Sequence, residues 1–244
     1  MNKKKIALIT GANKGIGLET ARQLGKQDIT VLLGARDLTK GEAATEGLRK
    51  DGIDAHSIVI DVSNPESIRK AANQVERDFG RLDILINNAG VMTDERTKKV
   101  SGQSLDTWRA TFDTNVFGLI ATTNAFLPLL RKSEGGRVVN LSSILGSIEF
   151  HAKPGSPVYE SKDTPAYNVS KAAVNAYTVQ LAHELKDSKI KVNAAHPGWV
   201  KTDMGGEDAV MEIEDGAKTS VALATLGADG PNGAYLHMGK PLPW

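Results

Sequence analysis

The chain predicts a doubly wound α/β fold, a parallel seven-stranded sheet covered by helices on both faces, and three observations carry that prediction. Short apolar runs alternate with amphipathic stretches almost to the end, as they do where strands are buried between two helical layers. A glycine-rich turn separates the first run from the first amphipathic stretch. Side-chain amides and small residues follow a later run, where such a fold builds its site.

The strands are expected at 6–10, 30–33, 57–60, 84–86, 137–141 and 190–195, with a weaker seventh at 234–236. Helices are expected near 16–26, 38–50, 65–79, 106–131, 166–186 and 214–226. Asp37 and Asn64 stand where N-caps belong, and Pro65 occupies a first helical position. No repeat, low-complexity tract or linker interrupts the pattern, so a single domain over 1–244 is the economical reading.

Composition narrows the function. With 30 basic and 29 acidic residues the net charge is +1, which gives no electrostatic argument for nucleic acid or a membrane surface as partner. The absence of cysteine excludes disulfides, thiolate zinc sites and a cysteine nucleophile. Lys3, Lys4 and Lys5 precede an apolar run too short for a secretory signal. No stretch approaches the ~20 apolar residues of a membrane span, so a cytoplasmic protein is expected. His151, His183 and His196 have no metal-ligand spacing and read as surface or packing residues.

The turn after the first strand reads Thr10-Gly11-Ala12-Asn13-Lys14-Gly15-Ile16-Gly17. Glycines between a strand and a helix N-terminus let backbone amides approach a pyrophosphate, toward which the helix dipole points its positive end. The second strand runs into Gly34-Ala35-Arg36-Asp37. An acidic residue there would suit the 2′-hydroxyl of NAD. Ala35 leaves that place empty, and Arg36 with Lys14 suits a 2′-phosphate, so NADPH is expected over NADH. Asp61 and Val62 follow the third strand, placed to meet the adenine ring, and Asn87-Asn88-Ala89-Gly90 follows the fourth.

Tyr167 and Lys171 lie four residues apart in a helical segment, so they share a face, and an ammonium there favours the phenolate. Taken in order, Thr10 to Gly17, Asn87 to Gly90, Asn115, Ser143, Tyr167 with Lys171, and Pro197-Gly198 resemble the motif set of the short-chain dehydrogenase/reductase family over nearly the whole chain. Within it the chain is most similar to NADPH-dependent carbonyl reductases.

The resemblance implies a Rossmann-type domain and hydride transfer between nicotinamide C4 and a carbonyl or hydroxyl carbon. Tyr167 would be the general acid of reduction, and Lys171 would lower its pKa and hold the nicotinamide ribose. Ser143 would hydrogen-bond the substrate oxygen, the alternative being that Ser142 or Ser143 caps the strand end. Asn115 would relay through water to Lys171, the alternative being a helix–helix hydrogen bond. Asn13, Ile16, Asn88, Ala89 and Gly90 fall within the cofactor motifs. Val200 and Thr202 would meet the nicotinamide half, and Trp199 would line the substrate pocket.

Twenty-four residues separate Ser143 from Tyr167, more than in most relatives and fewer than in monomeric animal carbonyl reductases. The extra segment, about 148–165, is expected to form a loop or short helix beside the pocket. Both a monomer and a homodimer fit. Residues 204–213 read as a lid, disordered without ligand, or as a plain linker. The partner expected is a small-molecule carbonyl compound. An alcohol dehydrogenase working oxidatively and a non-catalytic NADP(H)-binding redox sensor are the alternatives.

Overall fold

Alternation along the first strand organises the molecule, and it is seen in the computed structural model, which describes residues 4–244; Lys3 lies outside the described residues. β1 (Ile6–Thr10) sends Ile6 and Leu8 into one apolar cluster and Ala7 and Ile9 into another, because successive strand side chains leave opposite faces. In β2 (Thr30–Ala35), β4 (Ile84–Asn87) and β5 (Arg137–Leu141), Leu32, Leu85 and Val138 join Leu8, whereas Leu33, Ile86 and Val139 join Ile9. Burial on both faces explains why these strands read as continuous apolar runs.

The sheet also contains β3 (Ala55–Val59), β6 (Lys191–Ala195), β7 (Tyr235–His237) and β8 (Lys240–Pro241), in the order β3-β2-β1-β4-β5-β6-β7-β8. The seven expected parallel strands are present, and β8 adds an eighth, antiparallel to β7. Two exposed residues carry no apolar run, so β8 left no signal. Its turn uses Met238 and Gly239, both at positive φ (48° and 76°), as a two-residue hairpin loop with matched twist requires.

α1 (Gly15–Gly25), α2 (Leu38–Lys50) and α3 (Pro65–Phe79) start where expected. Asp37 accepts from the Lys40 amide, and Asn64 accepts from the amides of Glu66 and Ser67. Gly80, at φ 75°, ends α3 in a left-handed turn.

The helix expected over 106–131 is three pieces: α4 (Leu105–Phe112), a π-helical stretch (Asp113–Gly118) and α5 (Leu119–Leu130). An apolar stripe runs across all three, and one widened turn leaves the sequence period nearly unchanged. At its end a Cβ on Gly118 would lie 2.6 Å from the Val62 carbonyl oxygen, so glycine permits the close approach to the third crossover.

The extra segment begins as a short helix, α6 (Ile148–Ala152), and continues in turns to α7 (Pro165–Glu184); α8 (Ile213–Ala224) follows β6. Among the described residues no helix is long and apolar enough to cross a membrane.

Candidate active site

Parallel strands bring their C-terminal ends to one edge, and the chain reverses its direction of travel across the sheet between β1 and β4. The crevice at that switch point is where a doubly wound sheet receives a ligand. The glycine turn lies there. Gly11 and Gly15 adopt φ 65° and 57°, which side chains resist. Gly17 is required for space, since a Cβ there would lie 2.5 Å from Asn88 Nδ2 and 2.7 Å from the Gly11 oxygen.

The end of β4 is stitched to this turn. Asn88 Nδ2 donates to the carbonyls of Thr10 (2.8 Å) and Gly11 (3.2 Å), while the Thr10 hydroxyl accepts from the amides of Asn88 and Ala89. Asn88 therefore shapes the turn with its side chain. Ile16 anchors the start of α1 in the apolar cluster below, and Asn13 stays half-buried in the turn. Asn87 points into the fold, where its Nδ2 donates to Thr123 and Asn140 (2.9 Å each).

Arg36 is exposed at the end of β2 and makes no ion pair among the described residues. Lys14 does make one, with Asp203, and both side chains are largely exposed. Asp61 accepts from the amide and hydroxyl of Ser63 (2.9 and 2.6 Å), and Val62 is buried beside it. Thr202 approaches the glycine turn, its Cγ2 3.7 Å from where a Gly15 Cβ would be. Val200 packs its side chain under Gly216 of α8, and its carbonyl accepts from the Thr202 hydroxyl at 3.3 Å.

Tyr167 and Lys171 face the crevice side of β5 from the first turns of α7, both buried. Lys171 Nζ donates to the Leu141 carbonyl (2.7 Å) and lies 5.5 Å from the centre of the Tyr167 ring. Burial pushes the Tyr167 phenol up to about 12, against a lowering hydrogen bond from Ser143. Burial also brings Lys171 down to about 8. The cation was expected to pull the tyrosine down; burial is the larger effect and outweighs the Ser143 hydrogen bond. The protonated phenol is the form a general acid needs.

Ser143 does two things. Its hydroxyl lies near enough to the Tyr167 phenol to lower that group's pKa, and its oxygen accepts from the Leu145 amide (3.2 Å), capping a short 3-10 turn (Ile144–Gly146). Ser142 points into the fold and donates to Asn175.

Asn115 lies in the π-helical stretch with both side-chain N–H groups engaged. It pairs both ways with the Val91 backbone (2.8 Å each) and donates to Ser170 of α7 (3.0 Å). The contact to Ser170 is the helix–helix hydrogen bond of the alternative reading, and Oδ1 and Lys171 Nζ both lie beside Gly90, 3.4 and 3.7 Å from where its Cβ would be. The lid expected to be disordered is tied down instead. Trp199 Nε1 donates to the Gly205 carbonyl (2.8 Å), Val200 forms a bridge with Met211, and Lys201 pairs with Glu212. Trp199 is half exposed beside it.

Sequence reasoning missed Asp94. Its carboxylate accepts from the amides of Ala166 (2.7 Å) and Tyr167 (3.1 Å), capping α7 where Thr164 makes no side-chain cap. Seventy-two residues separate Asp94 from Ala166, so no local pattern pointed to it. The three histidines behave differently: His183 is exposed, His151 binds the Leu145 carbonyl, and His196 is buried. No metal-binding cluster occurs among the described residues.

The extra segment is closed at its root by the far end of the chain. The Trp244 carbonyl accepts from the Glu149 amide and the Ser147 hydroxyl, and its ring stacks on Tyr235 at 5.3 Å.

Comparison with known proteins agrees with this geometry. Residues 5–212 match the family model described as short chain dehydrogenase. The short-chain dehydrogenase anuI of Penicillium roqueforti is 41% identical over 231 residues, covering 92% of this chain and 90% of that protein. The NADPH carbonyl reductase 1 of Rattus norvegicus is 32% identical over 281 residues, covering 99% of each. Among solved structures, the NADPH-bound carbonyl reductase from chicken fatty liver superposes with a TM-score of 0.86 at 28% identity, covering 99% of this chain and 100% of that one.

Proposed function

Because the chain belongs to the short-chain dehydrogenase family, we propose that it reduces an aldehyde or ketone to an alcohol at the expense of NADPH. It is an NADP-dependent oxidoreductase; the carbonyl substrate and the residue roles are our reading. The observation that carries it is the juxtaposition of Ser143, Tyr167 and Lys171 with the glycine turn at one sheet edge.

The residues fit the dinucleotide. Gly11, Gly15 and Gly17 leave backbone amides uncovered at the start of α1, and Arg36 follows neutral Ala35 with its charge free among the described residues. We assign its adenosine half to Arg36, Lys14, Asp61 and Val62. The turn from Gly11 through Asn13 and Ile16 to Gly17 and the Asn88-Ala89-Gly90 stretch hold its centre, and Tyr167, Lys171, Val200 and Thr202 its nicotinamide half. When bound, NADPH supplies the hydride.

The chain does the rest. Ser143 and Tyr167 place two hydroxyls for one substrate oxygen, and Tyr167 gives that oxygen its proton. Lys171 keeps a positive charge next to the phenol as the proton leaves. Asn115 holds Val91 and Ser170 so that α7 and the loop after β4 stay in register. Trp199 walls the substrate side.

Coenzyme oxidation measured over a panel of aldehydes and ketones, with NADPH and NADH in parallel, tests the reading. Tyr167→Phe should lower kcat about 100-fold or more with NADPH affinity retained. Turnover like that of the unmodified protein in that variant sinks the mechanism. Arg36→Ala should weaken NADPH far more than NADH, and an equal loss for both refutes the phosphate clamp. Binding of NADPH with no turnover across the panel points to a coenzyme sensor instead.

A further inference from the structure

His196 is a buried group that the proposed chemistry leaves unused. It follows β6 directly and is 7% exposed. Its Nδ1 accepts from the Ile144 amide at 3.2 Å and from the Gly198 amide at 3.3 Å. Ile144 is the residue after Ser143, and Gly198 opens the 198–202 loop that carries Val200 and Thr202. One imidazole nitrogen thus joins the backbone of the substrate-binding turn to the backbone of the loop on the nicotinamide side.

The geometry dictates the ring's state. A nitrogen accepting from two N–H groups carries no proton, so the ring is neutral with its hydrogen on Nε2. Burial, with His237 beside it, holds the His196 pKa down to about 3, in agreement. His237 keeps the ring in place: the centroids are 4.8 Å apart, and its Nδ1 donates to the His196 carbonyl at 2.9 Å. A carbonyl can only accept, which puts the His237 proton on Nδ1. Gly198, at φ 95°, turns the chain sharply enough for its amide to reach back to the ring, and a Cβ there would lie 3.2 Å from His237 Cε1.

We infer that His196 is a positioning residue, whose Nδ1 holds the Ser143 turn and the 198–202 loop in a common register. The inference rests on the reductase reading for its kinetic consequence, and the bridge itself is a matter of structure. Asparagine is the informative replacement, because its Oδ1 occupies the place of Nδ1 and accepts likewise. Leucine fills similar space and accepts nothing.

Amide hydrogen exchange by NMR and steady-state reduction of 4-nitrobenzaldehyde with NADPH test it together. His196→Leu should speed exchange at Ile144 and Gly198 about tenfold or more relative to the other amides of β5 and β6. It should lower kcat about 100-fold, as a misplaced oxygen-binding hydroxyl would. His196→Asn should restore protection at both amides and most of kcat. Unchanged exchange in the leucine variant, or an asparagine variant as impaired as leucine, overturns the proposal. If the leucine variant fails to melt cooperatively, His196→Gln, which moves the acceptor by one methylene, takes its place with the same expectations. Absence of aldehyde reduction by the unmodified protein counts against the reductase reading, while the exchange of the two amides still decides the bridge.

Discussion

Lys171 pays for its position at the site in folding stability. Its pKa falls from 10.5 to about 8 because burial disfavours the charge. The folded state therefore binds that proton more weakly than the unfolded chain, and stability rises with pH between about 8 and 10.5. Below 8 the whole cost is present, roughly 3 kcal/mol for a shift of this size. Lys171→Met, measured without coenzyme, should thus gain stability relative to the unmodified protein at pH 7, and that gain should shrink as pH rises toward 10.5. Losing the donor to the Leu141 carbonyl takes back about 1–3 kcal/mol at every pH. The pH trend in urea melts at pH 7 and pH 10 is accordingly the test, and a margin independent of pH contradicts it. Tyr167 moves the other way. Its raised pKa keeps the phenol protonated in the folded state, so stability falls as pH climbs from 10 toward 12.

Among the elements, α7 carries the site and its start is set from outside. Pro165 is well suited to a first helical position, and the sequence places the helix there within a residue. The cap comes from Asp94 in the loop after β4, whose carboxylate also faces the positive end of the helix. Asp94→Ala should cost about 1–2 kcal/mol of stability in denaturant titrations. It should also lower kcat about tenfold, because the Tyr167 amide loses its anchor and a small shift of the phenol is costly. Asp94→Asn, which keeps one acceptor, should fall between. A variant with full activity and reduced stability would make Asp94 a cap only. The same level shows where the sequence pattern stops being readable. Caps within three residues, at Asp37 and Asn64, were legible because donor and acceptor are neighbours in the chain. The π-helical stretch around Asn115 was not, since its apolar stripe looks like that of one long helix.

At the scale of the whole molecule, the two edges of the sheet divide the work. Chemistry-bearing residues follow the C-terminal ends of β1, β2, β4, β5 and β6. At the opposite edge Arg137, the first residue of β5, is buried and donates to five carbonyls: Gly135, Gly136, Lys189, Leu226 and Gly227. Desolvation lowers its pKa, and no carboxylate pairs with it among the described residues. The guanidinium therefore ties β5 to the end of α8 and the approach to β6 by hydrogen bonds alone. Arg137→Met would orphan those oxygens and should cost on the order of 3 kcal/mol. Its kcat and KM should stay within a factor of two of the unmodified protein, since the site is at the other edge. Altered kinetics at unchanged stability would show that the edges are coupled.

The sequence by itself determined the fold class, the seven parallel strands, the glycine turn and the placing of Tyr167 and Lys171 four residues apart on one helix face. Those features rest on period, local sterics and short spacings, which one stretch of chain contains whole. The tertiary structure decided what depends on distant partners. It supplied the Asp94 cap, committed the Asn115 amide to Val91 and Ser170, and placed His196 between two loops. It also buried the Tyr167 phenol, which holds its pKa above the ordinary value. A cation four residues away is visible in the sequence. The burial that raises the phenol comes from the packing of α7 against β6 and the 3-10 turn after Ser143, and no residue spacing records that.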